Sequence, residues 1–294
     1  MDIPVEPDVS DVPRLMAREA LQQAGYTVQA TAYRDNVIAI QALTAGRVDV
    51  AISSLPNVLA AIQQGAAITV IMEAAILTRC LVTAPGITKC SDLHNRQISV
   101  PNLISSQTLA LERYLTKRCP GASVEKIVIS GANNRLAALL ARRTDGAILD
   151  LMTLVELQRN DTAGFNVLSV FGAEFPGLGG AAVVASRTFL RRYPDTARDI
   201  VRAWILATRR IQDPVVLRAQ IEKHLGLPAD RAEMAAKAYL AQKVWDLNGG
   251  LPDGFMQRNI DFSVDMGVIK RGLTPAAAED RRYVNAVLAE IGPK

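Results

Sequence analysis

The sequence predicts an α/β fold of two similar lobes followed by a helical end, and three observations predict it. Over the first two thirds of the 294 residues, short β-branched runs alternate with helical stretches, the pattern of a parallel sheet covered by helices. One strand-to-helix segment occurs twice, as Val48-Asp49-Val50-Ala51-Ile52-Ser53-Ser54-Leu55 and Thr144-Asp145-Gly146-Ala147-Ile148-Leu149-Asp150-Leu151. Its Asp, Ala, Ile and Leu recur at equal spacing, as in one supersecondary unit used twice. Beyond Ala185 the chain reads as helices, broken at Pro194, Pro214, Pro228, Pro252 and Pro275.

The elements follow in order. Residues 3–5 suit an edge strand. Asp11 and Pro13 open a helix to Gln23 that Gly25 closes, since proline favours the first turn and glycine the end. A strand at 26–33, a helix at 36–45 closed by Gly46 and a strand at 48–53 come next. They lead to a helix at 56–64 closed by Gly65 and a strand at 68–73. Residues 77–83 read as a long connecting strand. A second cycle places strands at 97–101, 124–130, 146–149 and 166–171, with helices at 106–117, 134–142 and 152–158 between them. A strand at 180–185 ends the alternation.

Composition narrows the function. The net charge is +4 and the pI about 9.0, but the basic residues are scattered singly or in pairs among acidic neighbours. With aromatics at 5% there is no basic stripe interleaved with stacking side chains, which argues against nucleic acid. Three cysteines and two histidines, His94 and His224, give no metal-site spacing and no basis for histidine catalysis. No apolar run approaches the ~20 residues of a membrane helix. Met1 is followed directly by acidic Asp2, Glu6 and Asp8, so either the chain is cytoplasmic or a leader has been removed.

Several segments together resemble a known family. They are Ala42-Leu43-Thr44-Ala45-Gly46-Arg47-Val48-Asp49-Val50-Ala51, Leu59 to Gly65, Ile87 with Ser91-Asp92-Leu93, and Ile98-Ser99-Val100-Pro101. Arg143 to Ala147 and Phe189-Leu190-Arg191-Arg192-Tyr193-Pro194 complete the series. In this order they are similar to substrate-binding proteins of ABC transporters with the type II periplasmic-binding-protein fold. The nearest branch binds aliphatic sulfonates, nitrate, taurine or thiamine-precursor pyrimidines. The match covers about residues 12 to 225; it departs at Tyr33-Arg34-Asp35-Asn36, where the family has a glycine-rich loop.

The resemblance implies two Rossmann-like lobes joined by a two-strand hinge, with the C-terminal helices packed on lobe I. Lobe I would comprise residues 1–83 and 178–294, and lobe II residues 84–177. Gly177, Gly179 and Gly180 would serve the returning hinge segment. Gly177 to Ala182 also fits G-x-G-x-x-A, but it leads into a strand and not a helix, which argues against a dinucleotide site. Such a protein is periplasmic or otherwise extracytoplasmic, its leader removed ahead of Met1. Cys90 and Cys119 both fall at one end of lobe II, and in that oxidising setting a disulfide between them is expected. Cys80 would remain a buried thiol.

Ligands of parallel sheets bind outside the carboxyl ends of strands, where helix N-termini present free N–H groups. In lobe I those positions hold Asp8, Ser10 and Asp11, then Arg34, Asp35 and Asn36, then Ser53, Ser54 and Asn57, and Glu73. A carboxylate at Glu73 either pairs with a base such as Arg34 or meets a ligand amine. In lobe II they hold Asn102, Ser105, Ser106 and Thr108, then Asn133 and Asn134 beside Ser130 and Arg135, then Asp150, with Phe175 near the hinge. Helix capping is the competing role for Asp11, Asp35 and Ser54, and for Ser105 or Ser106. Trp204 and Trp245 read as core. The function expected is capture of a small organic ligand, anionic or heteroaromatic, in an interlobe cleft for delivery to an ABC permease. No cofactor, metal, nucleic acid, membrane insertion or enzymatic activity is expected, and the chain is expected to be monomeric. The alternatives are a ligand-sensing domain, or a thiamine-precursor enzyme of the same fold, whose cysteine- and histidine-rich iron motif is not in this sequence.

Overall fold

A computed structural model of the chain describes residues 2–4, 7–33, 36–159 and 164–294. They form two compact units: Met1–Ile76 with Gly179–Lys294, and Leu77–Leu178.

The first unit opens with β1 (Asp2–Pro4), a 3-10 turn (Val9–Asp11) and α1 (Val12–Gln23), followed by β2 (Thr31–Tyr33) and α2 (Asn36–Thr44). Then come β3 (Val50–Ser53), α3 (Leu55–Gln63) and β4 (Ile68–Ile76). The second unit carries β5 (Cys80–Thr83), β6 (Arg96–Val100), α4 (Ser106–Arg118), β7 (Val124–Val128) and α5 (Ala132–Leu140). It continues through β8 (Gly146–Leu149), α6 (Leu151–Arg159), β9 (Asn166–Val170) and α7 (Phe171–Glu174). The chain re-enters the first unit at β10 (Gly179–Ser186), then runs through α8 (Arg187–Arg192), α9 (Pro194–Arg210), α10 (Pro214–Leu225) and α11 (Ala229–Ala241). It ends in α12 (Phe255–Asp265), α13 (Pro275–Ala278) and α14 (Arg282–Ile291).

The sheets are mixed, not wholly parallel as the alternating pattern suggests. β10 lies between β3 and β4 and is antiparallel to both. In the other unit the order is β7-β6-β8-β5-β9, with β5 antiparallel to its two neighbours and β6 parallel to β7 and β8. The strands that come straight off the crossings therefore run against the βαβ set. β5 pairs with β8 and β9, so the segment after Ile76 belongs to the second unit and not to the first, where residues 77–83 were expected. The strand expected at 26–33 shrinks to Thr31–Tyr33, the three residues that pair with Asp2–Pro4.

The repeated sequence segment is a repeated structure. β3 and β8 are buried at every position, and each feeds a helix that begins at the matched leucine, Leu55 or Leu151. The matched aspartates hold equivalent places too: Asp49 accepts at its carbonyl from Ser186 N–H (3.0 Å), and Asp145 from Ala84 N–H (2.8 Å).

The first unit's core joins β3, β4 and β10 to the apolar faces of α2, α3, α9, α12 and α14, with Trp204 almost wholly enclosed. Prolines that break the C-terminal third do so by opening helices: Pro194, Pro214 and Pro275 each occupy a first turn, where no N–H is needed. Trp245 is buried, stacks on Tyr239 (5.9 Å) and donates its indole N–H to Ser10 O (3.1 Å). In the second unit Cys90 and Cys119 form a disulfide, and Cys80 is a buried free thiol that burial, then the charge of Asp150, pushes up to about 12.

Candidate binding sites in the two units

In the first unit, polar side chains gather where β3 gives way to α3. The ladder sets Ala182 of β10 opposite Ser53 on one side and Glu73 of β4 on the other. Opposed residues of antiparallel strands point to one face, so Ser53 and Glu73 flank a small alanine, roughly 10 Å apart at two strand spacings. Ser53 donates to Asn36 O (3.4 Å). Ser54 is the N-cap of α3 in extended geometry, yet its hydroxyl makes no capping bond.

The burial of these groups is what singles them out. Ser54, Asn57 and Glu73 are 4%, 6% and 8% exposed, and among the described residues Ser54 Oγ, Asn57 Oδ1 and Nδ2, and Glu73 Oε1 have no hydrogen-bond partner. Buried polar groups are almost always paired, and each unpaired one costs about 1–3 kcal/mol. A Cβ placed on Gly179 would lie 2.5 Å from Leu55 Cδ1 and 3.3 Å from Glu73 Oε1, so the Glu73 carboxyl sits beside the first residue of α3. Burial, reinforced by nearby Asp246, holds that carboxyl well above the usual carboxylate range. Asp246 is itself occupied, its Oδ1 accepting from Asn248 N–H (2.7 Å) and Gly250 N–H (3.0 Å).

Two glycines make room for this arrangement. Gly250 has φ +66°, and a Cβ there would fall 2.5 Å from Glu73 Cβ. At Gly179 a Cβ would also come within 2.8 Å of Phe255 Cζ, while the Gly179 N–H donates to Asn259 Oδ1 (3.0 Å). Gly179 and Gly180 thus form the start of β10, and at Gly179 close packing demands the missing side chain. Gly179→Ala is expected to cost about 1–3 kcal/mol by overpacking, read as a lower urea midpoint at unchanged slope.

In the second unit the charged residues cluster. Asp150 caps α6, its Oδ1 accepting from Thr153 N–H (2.8 Å) and Oγ1–H (2.9 Å), and its Oδ2 lies 4.0 Å from Arg79 Nη1. Arg135, 3% exposed, donates from Nε to Ile148 O (2.7 Å) and from Nη1 to Ile129 O (3.0 Å). Burial, then the neighbouring Arg79, lowers Arg135 to about 10, with Asp150 opposing the shift. Sequence reading missed Arg79; its signal was a basic residue directly preceding the apolar strand at 80–83.

Other expected site residues are tied up locally. Asp8 accepts from Ser10 N–H (2.7 Å) and from the Ser10 hydroxyl, and its own N–H donates to Asp11 Oδ2 (3.0 Å). Asp11 pairs with Arg14 (3.1 Å) yet is raised to about 6, burial outweighing that cation. Ser105 caps α4 by accepting from Thr108 N–H (3.3 Å), the Thr108 hydroxyl donates to Asn102 O, and Asn102 Oδ1 accepts from Ile104 N–H (3.1 Å). Ser106 is buried one residue into α4. Asn134 donates to Ser130 O (2.9 Å), while Asn133 is exposed. Phe175 is half-buried against Phe171 (6.4 Å). Gly177 has φ +84°, and Asn36 opens α2 exposed to solvent. Arg34 and Asp35 lie outside the described residues.

The family model described as NMT1/THI5 like matches residues 21–213. The chain belongs to the NMT1/THI5-like family. No curated protein sequence is a significant match to it. Among solved structures, this NMT1/THI5-like chain is similar to a ligand-binding component of an ABC-type import system from Staphylococcus aureus, crystallised with zinc bound. The TM-score is 0.81 at 15% identity, covering 98% of each chain. It is also similar to the alkanesulfonate-binding protein SsuA from Xanthomonas axonopodis pv. citri bound to MOPS (TM-score 0.74, 18% identity, 94% of this chain and 97% of that one). A third is the periplasmic nitrate-binding protein NrtA from Synechocystis PCC 6803 (TM-score 0.74, 10% identity, 99% and 88%). At these identities the likeness establishes the fold, that of periplasmic binding proteins.

Proposed function

We propose that this chain is an extracytoplasmic, monomeric solute-binding protein that captures a small organic molecule and hands it to an ABC permease without altering it. The observation that carries the reading is the group of unpartnered buried atoms on Ser54, Asn57 and Glu73, gathered at a strand end and a helix start. A protein keeps such unpaired groups when a ligand satisfies them. The Arg79–Arg135–Asp150 cluster gives the second unit charged groups suited to an anionic part of a solute. The relatives of like fold are named for alkanesulfonate, nitrate and an ABC import system. No helix among the described residues is long and apolar enough to cross a membrane, in keeping with a partner that supplies the channel.

The mechanism proposed is closure. A solute touched by both units only when they approach would shift an open–closed equilibrium, and ~5 kcal/mol of preference takes that equilibrium from mostly open to mostly closed. The connections before Cys80 and after Phe175, including Gly177, would bend. A thermal-shift screen with sulfonates, carboxylates, aromatic acids, amines and pyrimidines should yield a stabilising ligand. Small-angle scattering should then show a smaller radius of gyration with it bound. An unchanged radius with a tight ligand sinks the closure mechanism.

A further inference from the structure

We infer that Glu73 determines specificity in the first unit's site by receiving a cationic N–H donor of the solute, an ammonium or amidinium group. This rests on the solute-binding reading above and goes further by naming what the site accepts.

The case is geometric. Among the described residues Glu73 Oε1 is buried and unpartnered beside the start of α3, as are the acceptors Ser54 Oγ and Asn57 Oδ1 and the donor Asn57 Nδ2. Beside the carboxyl lie Gly179 and Gly250, with Ala182 opposite Glu73 on β10, none of them ionisable. Among the described residues the charged group that acts on it is Asp246, a second acid. A sulfonate or carboxylate here would face two acids and, among the described residues, no guanidinium. A cation suits the site better, because it meets acceptors on three side chains and stabilises the charged form of the buried acid.

The proton balance follows. Burial and Asp246 raise Glu73, which shifts the empty site toward the carboxylic acid, and an adjacent cation shifts it back toward the carboxylate. As the cation binds, the Glu73 O–H bond breaks heterolytically and its proton passes to solvent, leaving carboxylate against ammonium or amidinium. Affinity should therefore rise with pH, up to about tenfold per unit, for as long as free Glu73 is protonated.

Benzamidine, a set of primary amines and aminopyrimidines serve as cationic probes, and benzenesulfonate and benzoate as anionic ones, in titration calorimetry with the whole chain at pH 7. Running each in phosphate and in Tris counts protons. The expected result is a cationic probe that binds with net release of protons. Glu73→Gln should abolish that release and weaken binding by roughly 30-fold or more. The count on the unsubstituted chain stands independently of how the variant folds. Cation binding without proton release, or undiminished in Glu73→Gln, overturns the assignment. Tight binding by anions alone, with compaction in scattering, overturns it while leaving solute binding intact. Binding by no probe of either class overturns both.

Discussion

Asp150→Ala is expected to destabilise the second unit by about 3–5 kcal/mol, the cost of leaving buried charge without its partner. Asp150 does two jobs there. Its Oδ1 caps α6 through Thr153, and its charge faces Arg79 across 4.0 Å and offsets the burial of Arg135. Loss of the cap accounts for about 1 kcal/mol of the total. The remainder is the exposure of two guanidinium groups to one another in a poorly hydrated place. Asp150→Asn separates the contributions, because an amide oxygen still accepts from Thr153 but carries no charge. Urea unfolding should rank the chains unsubstituted, then Asn, then Ala. An Ala variant within 1 kcal/mol of the parent would show that the arginines do not depend on this carboxylate.

Replacing Cys90 and Cys119 by alanine is expected to cost roughly 3–4 kcal/mol, from the loop entropy that a bridge of this span removes from the unfolded chain. The sequence separation is 29, and the bridge ties the 3-10 turn Cys90–Leu93 to the end of α4. Thiol titration of the denatured, unreduced protein should give one thiol, Cys80, and after reduction three. The reduced chain and the double variant should share one lowered urea midpoint. A midpoint unchanged by reduction would mean that the native contacts alone fix the end of α4.

Much of the fold was legible because its signals are local. The punctuation by Gly25, Gly46 and Gly65, and the helix-opening prolines, need no tertiary knowledge, and elements came out within a few residues. Strand direction was not legible: Gly179–Ser186 and Cys80–Thr83 look like any buried strand, and only their pairing makes them antiparallel. The stretch before Thr31 has strand composition, yet β2 holds only the three residues that pair with β1, and pairing outweighs propensity. At the candidate sites, Ser54, Asn57, Glu73 and Asp150 could be placed from strand ends alone. What could not be read was which hydroxyls and amides are already spent. Asp8, Ser10 and Asp11 satisfy one another, as do Ser105, Thr108 and Asn102, whereas Ser54 in the equivalent cap position does not use its hydroxyl. Arg79 was missed because a residue between two strands carries no periodicity of its own.

The interrupted course of the first unit has a consequence for how the chain matures. β3 and β4 never pair with each other, and the strand that joins them is delivered only after all of residues 77–178. A polypeptide emerging from its N-terminus can complete the inserted unit first, since every strand of that sheet lies in one continuous stretch. Until Ser186 has appeared, β3 and β4 each keep an unsatisfied apolar edge, the kind of surface that recruits chaperones or self-associates. The later-numbered half of the protein is therefore the last to be made and the one on which the earliest-made strands wait.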